Sequence, residues 1–151
     1  MPVSNFTAGD VLTAANMNLL PRGVMAYAQV IVDQTGISSV TDLTGMSATW
    51  TATSSRVYRI TVAGEVTATA ADGAFVVSLT DTSNVLVKRA TDACLTTSSR
   101  SFGIIYRVTG LSGSITRKVR LNKAGGTGTL TFGTIGATNP GFILVEDIGA
   151  A

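Results

Sequence analysis

Between residues 58 and 67 the chain alternates with a period of two. Tyr58, Ile60, Val62, Gly64 and Val66 form one row, and Arg59, Thr61, Ala63, Glu65 and Thr67 the other. A helix would scatter these residues around its axis, whereas a strand gives one row to a core and the other to water. The same period returns at Phe75, Val77 and Leu79, and again at Phe102, Ile104, Tyr106 and Val108. It recurs at Ile115, Val119 and Leu121, where Arg117 interrupts the apolar face. Leu130 and Phe132 mark a Thr- and Gly-rich strand, and Phe142 and Leu144 a last one. Turn residues separate these runs at 71–73, 81–84 and 110–113, where Gly, Asp, Asn and Ser favour tight reversals. A first strand over about 23–33 and shorter ones near Ile37–Leu43 and Met46–Ala52 complete a series of about nine or ten. The expected fold is all-β, an antiparallel sandwich or jelly roll, with Trp50 in the core or at its edge.

Residues 1–22 do not share the period. Thr13 can cap a short helix, Ala14 to Leu20 suit one of about two turns, and Pro21 stops it. So short a helix is unstable alone in water. Its apolar groups, Phe6, Val11, Leu12, Met17, Leu19 and Leu20, need a surface to cover. The chain therefore divides into a docking arm, 1–22, and a β domain, 23–151. The first residues carry neither the basic nor the apolar region of a secretory signal.

Composition closes off most chemistry. The 151 residues include no His and one Cys, Cys94, which excludes His-based triads, His-ligated zinc and an intrachain disulfide. Cys94, between Ala93 and Leu95, has no evident base and reads as an inert thiol. No cofactor and no metal are expected. The 124–129 segment (AGGTGT) lacks the Gly-Lys-Ser/Thr ending and following helix of a phosphate loop and reads as a turn. Glu146 and Asp147 are neighbours on a strand and so point to opposite faces, while Asp72, Asp81 and Asp92 fall at turns. None forms the facing carboxylate pair of a glycosidase. The net charge is +2, and the densest basic run, Arg117, Lys118, Arg120 and Lys123, fits a solvated strand face better than a nucleic-acid stripe. Mean hydropathy is +0.37, yet no apolar run approaches the ~18–20 residues of a membrane helix. Neither nucleic acid nor membrane insertion is expected.

Several strands are apolar on both faces: Ile105 beside Ile104, Val76 beside Phe75, Ile143 and Val145 beside Leu144. A two-layer sandwich buries only one face of each sheet. The second apolar face implies a partner subunit, and the scarcity of charge suits a large permanent interface.

Five stretches together resemble small structural proteins of tailed bacteriophages, especially those of actinobacterial hosts. They are Phe6–Asn18 (FTAGDVLTAANMN), Leu20–Ala28 (LPRGVMAYA), Asp42–Thr51 (DLTGMSATWT), Arg56–Ile60 (RVYRI) and Pro140–Gly149 (PGFILVEDIG). The likeness covers nearly the whole chain and defines a scaffold, with no receptor-binding motif to carry over. It implies a tumour-necrosis-factor-like jelly roll, usually trimeric, displayed on a virion.

The resulting expectation is a non-enzymatic virion structural protein, a homotrimer held to other phage structural proteins by its arm. Its expected place is the virion surface, at the tail, as a minor tail or fibre-tip protein contributing to host-surface attachment, with host-surface glycan as a further partner. The alternative is a capsid decoration protein whose trimers stabilise the head. A carbohydrate-active enzyme or free lectin is the third reading; Tyr27, Tyr58 and Tyr106 lie in strands, where packing explains them better than sugar stacking.

Overall fold

The computed structural model describes residues 14–70, 73–94, 99–133 and 140–151. A one-turn helix, α1 (Ala14–Met17), precedes ten strands: β1 (Gly23–Val30), β2 (Gln34–Ile37), β3 (Thr41–Ala52), β4 (Arg56–Ala68), β5 (Gly73–Thr80), β6 (Leu86–Cys94), β7 (Arg100–Val108), β8 (Gly113–Gly125), β9 (Leu130–Phe132) and β10 (Gly141–Ala150). The expected all-β class holds, with every ladder antiparallel.

The strands form two sheets. One runs β1-β10-β4, with β7 on the other edge of β4; the second runs β3-β8-β5-β6. Val66 pairs with Arg100 of β7 and also with Phe132 of β9. The β9–β2 ribbon therefore continues along the edge of β4 that β10 occupies over Arg56–Ala63. From β3 onward the chain crosses repeatedly between the sheets, staying in one only at the β5–β6 hairpin and in the β9–β10 region.

The core is the space between the layers. Ile60, Val62, Val66, Phe75, Val77, Leu79, Val119, Leu121 and Phe132 are wholly buried, as the period of two requires. Trp50 is buried and packs on Tyr58, ring centroids 5.8 Å apart. At the far end of β4, Phe102 meets Phe75 at 6.4 Å and Phe132 at 6.1 Å. Each buried aromatic removes enough apolar area from water to be worth about 1.5–3 kcal/mol.

Three expectations need correction. The helix is one turn, not two, because Leu20 N–H bonds Met17 O in a tighter turn and the following carbonyls have partners outside the helix. The strands expected at 37–43 and 46–52 are instead β2 and one long β3. Four residues, 43–46, bulge opposite the single Val119 between the pairs Asp42–Arg120 and Ser47–Lys118, and Gly45 takes φ +80° there. A bulge shifts the alternation without ending the pairing. In β10 the inward row is Gly141, Ile143, Val145 and Asp147, so Phe142 and Leu144 face outward. The choice between two equally apolar rows was decided by Asp147, which has its partner inside.

Phe132 determines two glycines. A Cβ at Gly64 would lie 2.7 Å from the Phe132 ring, and one at Gly141 would overlap it. Gly64→Ala and Gly141→Ala should each cost about 1–3 kcal/mol by overpacking. In urea denaturation the Phe132→Leu background should remove most of that penalty, and a purely additive double mutant would contradict the steric account.

Candidate docking site

Two surfaces bear on docking: the base of the arm, and the outer face of the sheet built on β4. The first begins at Arg56, which opens β4, and Asp147, near the end of β10. Their side chains are 3% and 0% exposed. Arg56 Nε donates to Asp147 Oδ2 at 2.7 Å, and Nη2 to Oδ1 at 2.5 Å, a bidentate pair. The guanidinium also donates to the arm, from Nη2 to Leu20 O at 2.6 Å and from Nη1 to Asn18 O. Asp147 accepts further bonds from the backbone N–H groups of Gly149 and Arg22. Ala150 N–H reaches Leu19 O at 3.3 Å. One ion pair thus joins the starts of β4 and β1, the end of β10 and the last residues of the arm.

Burial pushes the Asp147 carboxyl up. The Arg56 hydrogen bonds, the Gly149 N–H, the Arg56 charge and the Arg22 N–H outweigh it and hold the group below the ordinary carboxylate value. Charge and hydrogen bonds both require the ionised form.

Of the six residues expected to dock, Met17, Leu19 and Leu20 are described. Phe6, Val11 and Leu12 lie outside the described residues. Met17 and Leu19 are exposed, and Leu20 is half-buried. Sequence reasoning took Leu19 and Leu20 for their side chains; the structure uses their carbonyls. Arg56 and Asp147 were missed as a site, although RVYRI and the Glu146-Asp147 pair had been singled out. No local pattern reveals that two charges 91 residues apart meet in the interior.

The second surface follows from strand register. Pairing sets Tyr27, Leu144, Thr61 and Ile105 in one outward row across β1, β10, β4 and β7, with Gln29, Phe142, Ala63 and Gly103 beside it. Ile105 is 70% exposed and Tyr27 52%. The Tyr27 ring stands 6.1 Å from that of Phe142, and its hydroxyl donates to Gln29 Oε1 at 2.7 Å. Charges sit at the ends of the face: Arg59 paired with Glu146 at 2.8 Å and Arg107 beside them, with Glu65 at the other end.

The other residues that the sequence singled out take the following places. Lys118 and Arg120 grip Asp42 at 2.6 and 2.7 Å, and the Lys118 hydrogen bond is the first cause holding that carboxyl low. Lys123 caps Gly126 O. Arg117 stands in the row of inward-facing Ala48, as its interruption of the apolar period implied. The Gly-rich segment is the β8–β9 turn, where Thr69 and Thr129 exchange bonds at 2.9 Å. Asp81 caps its own turn, accepting from Ser83 and Val85 N–H. Asp92 belongs to β6 rather than to a turn, and Asp72 is outside the described residues. Cys94 ends β6. Among the described residues no group of three or more His, Cys, Asp or Glu could hold a metal ion, and no helix is long and apolar enough to cross a membrane.

No protein-family model matches the chain, nor does any curated protein. Similar solved structures include a chain of infectious bursal disease virus, Gx strain, at 11% identity and TM-score 0.41, covering 87% of this chain and 35% of that one. Another is dimeric latent PorU from Porphyromonas gingivalis, at 12% identity and TM-score 0.41, covering 97% of this chain and 14% of that one. The present chain spans the minor part of either neighbour.

Breaking the clamp leaves a charge buried alone. Asp147→Asn and Arg56→Met should each lower stability by about 3–5 kcal/mol. Replacing both should not restore it, because a methionine at position 56 cannot donate to the Asn18 and Leu20 carbonyls, even though the amide oxygen of an asparagine at position 147 can still accept from the Arg22 and Gly149 N–H groups. Because the folded-state value of Asp147 is depressed, its contribution is full above the ordinary carboxylate range and is lost as pH falls through the depressed value. Acid titration of urea midpoints should show this loss in the wild type and not in Asp147→Asn.

Proposed function

We propose that the chain is a non-enzymatic virion structural protein: a jelly-roll module that associates as a homotrimer and is fastened to other phage structural proteins by its N-terminal arm. The observation that carries the reading is the outward apolar face of β1, β10, β4 and β7. Its centre is Tyr27, Phe142, Leu144 and Ile105, and its charges are confined to the ends. Exposed apolar patches of this kind mark interaction surfaces, and a polar rim around an apolar centre is the anatomy of a protein interface. The layer orders β1-β10-β4-β7 and β3-β8-β5-β6 support the jelly-roll assignment. The likeness of Phe6–Asn18, Arg56–Ile60 and Pro140–Gly149 to phage structural proteins supports the virion setting.

In this reading the face seals against two other copies, and symmetry presents three arms together. Three weak attachments on one body bind far more tightly than one. The preferred location is the tail, where the module contributes to host-surface attachment. Capsid decoration uses the same parts at a different site.

The expected solution state is a particle of three times the 15.5 kDa chain mass by light scattering. Ile105→Arg should yield a folded monomer, and a wild type that is monomeric at micromolar concentration would sink the trimer. Removing residues 1–13 spares the Asn18 and Leu20 contacts and should leave the fold intact while abolishing incorporation into particles. Copy number by quantitative mass spectrometry separates the locations. Small multiples of three per particle fit the tail, and scores to hundreds tracking the capsid protein fit decoration.

A further inference from the structure

β6 ends its sheet and pairs only with β5. Among the described residues no backbone hydrogen bond reaches its other side. A strand edge left open is a template for another strand, and charges placed on it oppose indiscriminate pairing. β6 carries two such charges. Register sets Lys88 against Leu79, Ala90 against Val77 and Asp92 against Phe75. Leu79, Val77 and Phe75 are core residues, so Lys88, Ala90 and Asp92 lie on the core side of the sheet, at its rim. Both charged residues are exposed, and neither makes an ion pair among the described residues. One Asp92 carboxylate oxygen accepts from Ala93 N–H at 2.8 Å, which leaves the other for a cation. The two cannot serve each other, because four residues of extended strand hold them about 13 Å apart.

Their placement is symmetric. β6 runs from Leu86 to Cys94, so Ala90 is its middle residue, and Lys88 and Asp92 stand equally far on either side of it. An antiparallel strand of the same sequence, centred on the same alanine, overlaps the whole of β6. It sets Lys88 of each copy opposite Asp92 of the other, on one face of the joined sheet. Directly opposite residues in such a ladder lie about 5 Å apart, so both charges gain a partner at once. The same strand slipped by two residues leaves both unpaired. No other open edge has this property: β1 carries no charge, β7 carries Arg100 and Arg107 but no acid, and the one charge of β3, Asp42, is engaged by Lys118 and Arg120.

We propose that β6 is a two-fold contact between copies of this chain, which joins two four-stranded sheets into one of eight through reciprocal Lys88–Asp92 pairs. Main-chain hydrogen bonds provide the attraction, and the charges select the partner and its register. One strand edge is a small interface, and its dissociation constant should be about 0.1–1 mM. The contact therefore leaves the chain's state at micromolar concentration unchanged and acts between copies already held close together, where local concentration replaces affinity. It uses neither the face of Tyr27 and Ile105 nor the arm, and does not depend on the trimer.

The test uses the full chain carrying Ile105→Arg, so that association through β6 is read whether or not the apolar face makes trimers. In sedimentation equilibrium its mass should rise from one chain toward two between about 0.05 and 1 mM. Adding Lys88→Asp, or Asp92→Lys, should weaken that association at least about tenfold, because either change turns both cross-strand pairs into like charges. An equimolar mixture of the two variants should associate as well as the parent, since every pair is again of opposite sign. The variant carrying both changes should do so too. Recovery in the mixture excludes unfolding as the reason for the losses. A chain that stays monomeric at about 1 mM, single reversals that associate like the parent, or a mixture that fails to recover would each overturn the contact.

Discussion

The Arg56–Asp147 pair closes one end of the sandwich. A bidentate ion pair this deeply buried loses hydration at both groups, and attraction between them alone often fails to offset that loss. Here the surrounding backbone completes the account. Asp147 accepts from two N–H groups, and Arg56 donates to two carbonyls, those of Asn18 and Leu20, that lie past the end of α1. The charges cap backbone that would otherwise lie unpaired at the junction of arm, β1, β4 and β10. The pair also sets the register of β10: Asp147 must face inward, so Ile143 and Val145 do as well, and Phe142 and Leu144 are turned outward.

That consequence divides the molecule's two outer faces. On the β1-β10-β4-β7 side the outward rows are apolar in the middle and charged at the ends. On the β3-β8-β5-β6 side they carry Asp42, Lys118, Arg120, Ser78, Asn122 and Arg89. A sheet face of the first kind is poorly suited to water and well suited to another protein surface. One of the second kind is stable in water and offers directional hydrogen bonds.

Much of the fold was legible because it depends on local alternation. The inward rows of β4, β5 and β7 follow directly from Tyr58–Val66, Phe75–Leu79 and Phe102–Ile104. Turn chemistry at Asp81–Asn84 is equally local, with Asn84 at φ 66°. The misreadings share one cause, the need for information from a distant strand. β3 looked like two strands because its bulge is visible only against Val119. β10 offered two apolar rows, and only the partner of Asp147 distinguishes them. The apolar excess raised the expectation of a second buried surface, and finding where the outward apolar rows lie required the register of four strands. The Arg56 clamp was illegible for the same reason, since its two charges meet only through the pairing of β4 with β10.

Association through the face of Tyr27 and Ile105 would leave the outer face of the other sheet free, because inward side chains of opposite sheets meet in the core and outward ones point apart. An apolar face suits a lasting contact without a specific ligand, while the outward Asp42, Lys118, Arg120, Ser78 and Asn122 suit contact with water. Opposite demands on surface chemistry are thus met on opposite sides of one core.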